Sequence, residues 1–139
     1  MLGDLTGKTA IITGGGQGLG FGISTKMAQQ GANIIVTDID DRNRATVGKL
    51  ADKYNVKFLY LEMDVTDQNQ VKESITKALN FSDIDILVNN AGVSGAPGST
   101  GTIWRDEDWD FTWKINVKGL HTVTEALLPH MVEKRAGKI

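Results

Sequence analysis

The sequence predicts an α/β protein in which a doubly wound parallel sheet lies between two layers of helices. The first observation is alternation, because short apolar runs are separated by stretches whose apolar residues recur at helical spacing. The second is a glycine-dense turn, Thr13 to Gly20, between the first apolar run and the first helical stretch. Runs such as Ala10-Ile11-Ile12 are apolar throughout, as expected for parallel strands covered on both faces. One three-layer domain over residues 1–139 is therefore expected, ending as a fifth strand begins.

The predicted elements follow one another with turn signals between them. Gly31 is a predicted C-terminal cap of the first helix, and Thr66 a predicted N-terminal cap of the third. Gly137 is expected to cap the last helix, after which Lys138 would begin a fifth strand. The expected strand order is 3-2-1-4, with ligands bound between the carboxyl ends of strands one and four. The predicted strands are residues 9–12, 33–37, 56–61 and 84–88, and the predicted helices begin near residues 18, 42, 67 and 106.

The glycine turn has the chemistry of an anion site. Backbone N–H groups in the first turn of a helix lack intrahelical partners and carry partial positive charge, which suits a pyrophosphate. Gly14, Gly18 and Gly20 leave room for a tight turn, for the phosphates and for close helix packing. Their spacing, G-x-x-x-G-x-G, departs from the G-x-G-x-x-G pattern. A plain structural turn is the alternative interpretation.

Asp38 ends the second predicted strand, at the distance from the glycine turn that ribose-binding carboxylates have in dinucleotide sites. A carboxylate there accepts hydrogen bonds from the adenosine ribose hydroxyls and repels a 2′-phosphate. Gly15, Gly16 and Gln17 are uncharged, and Arg42 is predicted to begin the next helix. The sequence therefore favours NAD over NADP, with a strand-end or helix-capping aspartate as the alternative reading of Asp38.

The composition is that of an ordinary globular protein. Of 139 residues, 40% are hydrophobic and 23% are charged, and the formal net charge is -2 without a basic stripe, which argues against a nucleic-acid partner. No apolar run approaches the ~18 residues of a membrane span, and the N-terminus lacks the pattern of a signal peptide. The absence of cysteine excludes thiolate zinc sites. We therefore expect a cytoplasmic protein without a membrane partner or a metal site.

Four motifs together resemble those of the short-chain dehydrogenase/reductase family. The stretch Thr13 to Gly20 matches its TGxxxGxG turn, and Asp64-Val65 matches the pair that contacts adenine in the family. Asn89-Asn90-Ala91-Gly92 matches its NNAG motif, and Asn116 lies where the family places the asparagine of its catalytic tetrad. The resemblance implies a Rossmann-like fold that binds NAD. The expected cofactor-binding residues are Gly14, Gln17, Gly18, Leu19, Gly20, Asp38, Ile39, Asp64, Val65, Asn90, Ala91 and Gly92.

The resemblance also implies a reaction. Family members transfer a hydride between nicotinamide and a small alcohol or carbonyl substrate, with a tyrosine as general acid or base, a lysine that lowers its pKa and a serine that holds the substrate oxygen. Asn116 would hold a water in the proton relay. The serine and the Tyr-x-x-x-Lys pair are expected after the fifth strand, whereas Tyr54 and Tyr60 belong to an early helix and strand. The chain is therefore interpreted as the cofactor-binding portion of a longer enzyme, inactive alone, with natural truncation as the alternative.

Two other interpretations stay open: a non-catalytic nucleotide-binding module, and a scaffold half that assembles with a complementary chain. All three keep the glycine turn and Asp38, so the discriminating observation is whether the gene continues with the serine and the Tyr-x-x-x-Lys pair. Trp104, Trp109 and Trp113 are expected to pack in the core or between subunits, and the resemblance implies a homo-oligomer at full length. The Gly- and Ser-rich loop 93–102 is either part of a substrate mouth or a plain surface connection.

Overall fold

A computed structural model describes residues 3–139 as a parallel sheet covered by helices. In chain order the elements are β1 (Thr9–Thr13), α1 (Gly18–Gln29), β2 (Asn33–Asp38), α2 (Arg44–Tyr54), β3 (Phe58–Glu62), α3 (Gln68–Phe81), β4 (Ile86–Val88), α4 (Asp106–Trp113), a π-helical segment (Lys114–Gly119) and α5 (Leu120–Glu133). The four strands lie in the order β3-β2-β1-β4. This arrangement confirms the predicted Rossmann-like fold class.

The apolar strands bury both of their faces, as the sequence predicts. Ile11 faces an apolar cluster that includes Leu127 of α5, whereas its neighbour Ile12 faces a second cluster that includes Val47 of α2. All four of these side chains are 0% exposed. Because successive side chains of a strand point to opposite faces, a sheet covered on both sides needs apolar residues at every position.

The topology creates a crevice at the carboxyl ends of the strands, between β1 and β4. β1 pairs in parallel with β2 on one side and with β4 on the other. The chain therefore runs outward from β1 to β3 and then crosses back to β4. Strand order reverses between β1 and β4, and the loops that leave their carboxyl ends diverge to opposite faces of the sheet. The candidate site lies in this crevice.

Two predicted boundaries on either side of α2 are wrong. The helix begins at Arg44 and not at Arg42, because the Asp40 carboxylate accepts the Arg42 backbone N–H and folds this residue into a turn. β3 begins at Phe58 and not at Val56, because the Val56 N–H donates to Ala51 of α2. In both cases a hydrogen bond in a turn competes with the regular element.

The predicted cap of α3 is one residue too early. Asp67, and not Thr66, occupies the N-cap position, and its carboxylate accepts the backbone N–H groups of Asn69 and Gln70. The Thr66 hydroxyl is instead engaged by Asp64. A carboxylate suits this position because it also complements the positive end of the helix dipole.

The C-terminal part of the described chain differs from prediction in three details. β4 starts at Ile86, two residues later than expected. α5 ends at Glu133 and not near Gly137, because Arg135 has a left-handed backbone with φ of 53° and turns the chain. Lys138 then forms a parallel bridge to Ile86, at the place where a fifth strand is predicted to begin.

The tryptophans are predicted to pack in the core or between subunits; core packing is wrong for two of them, and packing between subunits stays a prediction. Trp109 is 62% exposed and Trp113 is 58% exposed, whereas Asp108 of the same helix is buried. Trp104 contacts Trp109 edge to face at 4.9 Å between ring centroids. Over residues 3–139, none of the helices combines the length and the apolar character needed to span a bilayer.

Candidate functional site

A cleft of about 830 Å³ opens beyond the carboxyl ends of the strands. Thirteen residues are predicted as site residues from the sequence, and all of them except Gly18 line this cleft. Thr37, Met63, Thr66, Val93, Ser94, Phe111, Lys114 and Ile115 complete the described lining. Residues that are far apart in sequence therefore meet in one place, as the motif spacing predicts.

The glycine turn is packed so tightly that side chains would not fit at several positions. Gly14 and Gly18 have positive φ angles of 62° and 53°, which glycine adopts without strain. A Cβ on Gly20 would collide with the carbonyl oxygen of Gly14, and one on Gly16 would lie 2.7 Å from the Tyr60 hydroxyl oxygen. The missing side chains therefore let α1 approach β1 closely.

The N-terminus of α1 keeps its positive end available. Within the described chain, the first turn of α1 contains no acidic residue, and its N-cap Gln17 makes no side-chain capping bond. At the start of α1, the Phe21 N–H donates to the Gln17 carbonyl. Gln17, Leu19 and Gly20 line the cleft. The amides of this turn are therefore suited to an anion that enters the cleft.

Asp38 is fixed at the end of β2 by two backbone hydrogen bonds. Its Oδ2 accepts the Gly16 N–H at 3.1 Å, and its Oδ1 accepts the Ile39 N–H at 2.9 Å. The first bond joins the carboxylate to the glycine turn, so the two predicted ligand-binding features share one rigid corner. Asp38 is only partly buried, and it retains lone pairs that a ligand hydroxyl can use.

Thr13 connects the glycine turn to the NNAG motif, and the sequence reasoning did not include it among the site residues. Its Oγ1 accepts the backbone N–H groups of Asn90 and Ala91, each at 3.0 Å. The Asn90 side chain in turn donates to the carbonyl oxygens of Thr13 and Gly14. The signal was present, because Thr13 is the first residue of the TGxxxGxG motif, but its role depends on partners 77 and 78 residues away.

Asp64 and Val65 form the side of the cleft that lies beyond β3. The Asp64 carboxylate accepts both the backbone N–H and the hydroxyl of Thr66 at 2.8 Å. Val65 is 7% exposed, and Gly119 of the π-helical segment packs so closely on it that a Cβ there would lie 2.5 Å from Val65 Cγ2. The pair is therefore held by α3 on one side and by the π-helical segment on the other.

Asn116 lies in the π-helical segment and binds the loop that follows β4. Its Oδ1 accepts the Val93 N–H and its Nδ2 donates to the Val93 carbonyl, both at 2.9 Å. This bidentate contact fixes the backbone where the loop enters the cleft. The role of Asn116 in a proton relay stays a prediction. In this structure both polar atoms of its side-chain amide are hydrogen-bonded to the Val93 backbone.

Asp108 anchors the rest of this loop, and the sequence reasoning missed it. The carboxylate is 1% exposed and accepts the N–H groups of Ala96 at 3.0 Å and Arg105 at 2.9 Å. Backbone hydrogen bonds from Arg105 and Ala96 hold the pKa of Asp108 below its usual value. Only the N3 half of a capping box is present, in which the Asp108 carboxylate accepts the N-cap N–H, because an arginine at the N-cap has no acceptor to complete it.

Neither tyrosine of the chain is placed as an acid of this cleft. Tyr54 lies in α2, and Tyr60 lies in β3 with its ring 2% exposed. The Tyr60 hydroxyl donates to the Asp40 carbonyl at 3.0 Å, and burial raises its pKa to about 12.

Comparison with known proteins identifies relatives over almost the whole chain. The profile of the family described as short chain dehydrogenase matches residues 8–139. Oxidoreductase UcpA of Salmonella typhimurium is 41% identical over 142 residues, covering 99% of this chain and 52% of UcpA. The 3-oxoacyl-(acyl-carrier-protein) reductase FabG of Thermotoga maritima is 35% identical over 136 residues, covering 97% of this chain and 54% of FabG. The chain thus spans about half the length of the curated relatives it matches.

Solved structures show the same fold. NAD⁺-bound xylitol dehydrogenase superposes with a TM-score of 0.87 at 25% identity, covering 97% of this chain and 52% of that one. Carveol dehydrogenase from Mycobacterium avium in complex with NAD has a TM-score of 0.85 at 28% identity, with coverages of 97% and 53%. NADPH-dependent 3-quinuclidinone reductase from Rhodotorula rubra has a TM-score of 0.84 at 26% identity, with coverages of 96% and 51%. With its sheet order, its tightly packed glycine turn and these relatives, the chain belongs to the short-chain dehydrogenase family.

Proposed function

We propose that these residues form the NAD-binding portion of an oxidoreductase. The observation that carries the proposal is the rigid corner at which the Asp38 carboxylate accepts the Gly16 N–H beside the uncapped first turn of α1. The first turn of α1 suits a pyrophosphate and Asp38 suits ribose hydroxyls, and these two groups are adjacent in a dinucleotide. The same cleft is lined by both parts, and this juxtaposition supports a single extended ligand.

The remaining predicted residues give the ligand a direction along the cleft. We assign the adenine end to Ile39, Asp64 and Val65, since they line the same cleft as Asp38 and follow the carboxyl ends of β2 and β3. We assign the nicotinamide end to the stretch Asn90 to Gly92, which leads to Val93 and Asn116. Bound nicotinamide would supply the hydride acceptor or donor, while this chain orients it and excludes water.

The preference for NAD over NADP rests on Asp38. The family relatives include proteins described with NAD and with NADPH, so membership alone does not decide the cofactor. A fixed carboxylate at the ribose disfavours a 2′-phosphate, because both groups are negative and the field near a protein surface is only partly screened. The uncharged turn residues Gly15 to Gln17 offer no compensating cation.

The activity that we propose for the whole protein is hydride transfer between nicotinamide and a secondary alcohol or ketone of low molecular weight. UcpA is described as an oxidoreductase and FabG as a reductase, which supports this class of reaction. In our proposal the serine and the Tyr-x-x-x-Lys pair lie outside residues 1–139, with Asn116 as the member of the catalytic set within them. The 139 residues alone are then expected to be inactive, and sequencing of the gene downstream of Ile139 tests this part.

We further propose that the whole protein is a cytoplasmic homo-oligomer. Large apolar side chains at positions 109, 113, 128 and 132 of α4 and α5 are between 44% and 65% exposed, which is unusual for a surface in contact with water alone. A second copy of the chain would cover them. Sedimentation of the complete protein should give a multiple of the single-chain mass, and a single-chain mass contradicts the proposal.

Calorimetric titration of the 139-residue chain with NAD⁺ and NADP⁺ tests the cofactor proposal. We expect both to bind in the same cleft, with NAD⁺ bound about a hundredfold more tightly because Asp38 repels the extra phosphate. The preference should weaken as salt is added, since the repulsion acts between partly exposed charges. Absence of binding, or tighter binding of NADP⁺, contradicts the proposal.

A further inference from the structure

The turn that follows β2 lies beside the proposed ribose site; it carries Arg42 and leads into α2, which begins at Arg44. A dinucleotide with a 2′-phosphate needs a cation at this end of the cleft. Among the described residues that line the cleft, Lys114 is the only basic one, and it lies in the same π-helical segment as Asn116. Arg42 and Arg44 are the nearest cations in sequence to Asp38 on its C-terminal side, and each is already engaged.

Arg42 is held by Asp40 through its side chain and its backbone. The Arg42 Nε lies 2.9 Å from Oδ1 and 2.8 Å from Oδ2 of Asp40, and a terminal nitrogen lies 2.5 Å from Oδ2. The Arg42 backbone N–H also donates to Oδ1 at 3.1 Å. The Arg42 pKa is raised mainly by hydrogen bonding to Asp40 and, to a lesser degree, by the charge of Asp38. The turn itself lies beside the Asp38 carboxylate, because a Cβ on Gly16 would lie 2.9 Å from Oδ2 of Asp38 and 3.2 Å from Cβ of Asn43, the residue after Arg42.

The backbone of Asp40 is anchored to the core. The hydroxyl of the buried Tyr60 donates to the Asp40 carbonyl at 3.0 Å. Arg44 is engaged by the same residue, since it donates to the Tyr60 backbone carbonyl at 3.0 Å and its guanidinium lies 5.1 Å from the centroid of the Tyr60 ring. The Tyr60 hydroxyl thus fixes the backbone of the turn, and the Asp40 carboxylate fixes the side chain of Arg42.

We propose that Asp40 is a second determinant of cofactor choice, because it occupies the guanidinium of Arg42 that would otherwise bind a 2′-phosphate. The inference rests on the proposed function, since it concerns the adenosine end of the same site. Asp38 rejects the phosphate by repulsion, whereas Asp40 withholds the cation that would accept it. The two carboxylates act on different steps of the same discrimination.

The expected effect is moderate because the ion pair faces solvent. The side chains of Arg42 and Asp40 are 71% and 36% exposed, and exposed pairs contribute little on average. The multiple contacts between the guanidinium and the carboxylate of an anchored turn make this pair stronger than most. Releasing Arg42 should therefore change the ratio of NADP⁺ to NAD⁺ affinity about five- to tenfold in favour of NADP⁺.

Asp40→Asn is the test variant, because an amide oxygen can still accept the Arg42 N–H and preserve the turn. Asp41→Asn is the matched control. It makes the same charge change one residue away, at a side chain that takes no part in the ion pair between Asp40 and Arg42. Adding Arg42→Gln to Asp40→Asn shows whether a gain depends on Arg42. The three variants and the unmodified chain are titrated with NAD⁺ and NADP⁺ by calorimetry at low ionic strength, with thermal unfolding as a check on folding.

The inference predicts that Asp40→Asn shifts the affinity ratio about five- to tenfold more than Asp41→Asn, and that Arg42→Gln removes the shift. Equal shifts in the two single variants, or a shift that survives Arg42→Gln, overturn the role of Asp40 while leaving NAD binding intact. If the unmodified chain binds neither dinucleotide, or prefers NADP⁺, the proposed function fails and this inference is overturned with it.

Discussion

Replacing Gly20 with alanine is expected to weaken NAD⁺ binding strongly and to lower the free energy of unfolding by about 3 kcal/mol. A Cβ at this position would overlap the Gly14 carbonyl oxygen and lie 2.5 Å from Nδ2 of Asn90. Neither partner can move freely, because Asn90 donates to Thr13 and Gly14, and Gly14 donates to Thr37. The helix must therefore move away from β1, and the first-turn amides would move with it. We expect NAD⁺ affinity to fall by about a hundredfold.

Gly22→Ala is the matched control in the same helix. A Cβ on Gly22 meets nothing within 4 Å and would point to solvent. Alanine should stabilise this position by about 0.5–1 kcal/mol, because glycine is the less favourable residue in a helix interior. Urea unfolding and calorimetric titration of both variants check the prediction. If Gly20→Ala binds NAD⁺ as well as Gly22→Ala does, close packing of the glycine turn is not what forms the site.

The second large effect is expected from Asp38→Asn, which removes the charge at the ribose and keeps an acceptor oxygen for the Gly16 N–H. Two unit charges 4 Å apart near a protein surface interact by about 4 kcal/mol, so repulsion of a 2′-phosphate by Asp38 is large enough to set the preference. The variant also loses charge-assisted hydrogen bonds to the ribose hydroxyls of NAD⁺. We expect the ratio of NAD⁺ to NADP⁺ affinity to fall by about a hundredfold.

Glu62→Gln is the control for this change, because Glu62 pairs with Asp38 in the register of β2 and β3. It carries the same charge at the same edge of the sheet, but it does not line the cleft. Its substitution should alter the affinity ratio much less than that of Asp38. An equal change in both variants would mean that overall negative charge, and not contact with the ribose, sets the preference.

The fold could be predicted because its main signal is repeated along the chain. Ile11, Ile35 and Leu87 each lie in an apolar run flanked by helical spacing, and three independent repeats of one pattern leave few alternatives. The ends of the elements were less predictable. At Arg42 and Thr66 a neighbouring aspartate decides the boundary through a side-chain hydrogen bond, and several polar residues in each turn could have done so.

The π-helical segment could not be read from the helical pattern. The segment spans six residues, and its Gly119 packs against Val65 from a distant part of the chain, a contact that no local pattern reports. The segment matters for the site, since it carries Asn116 to Val93. The resemblance to a known family identifies Asn116 as a site residue, whereas its contact with Val93 is visible only in the three-dimensional structure.

The candidate site was predictable where a residue type meets a backbone requirement, as glycine does in the turn and aspartate does at the end of β2. It was less predictable where a polar side chain supports distant backbone. Thr13 and Asp108 each accept two backbone N–H groups, and threonine and aspartate in such positions also suit ordinary turns and caps. A single sequence does not distinguish these uses.

The most direct test of the central claim is an NMR titration of the ¹⁵N-labelled 139-residue chain with NAD⁺, because it locates the ligand as well as detecting it. We predict that the amide signals that shift most belong to the glycine turn, to Asp38 and Ile39, and to the stretch Asn90 to Gly92. The exposed face of α5 around Leu128 and Val132 should remain unchanged. Shifts confined to that face, or no saturable shifts at the glycine turn, would contradict the account.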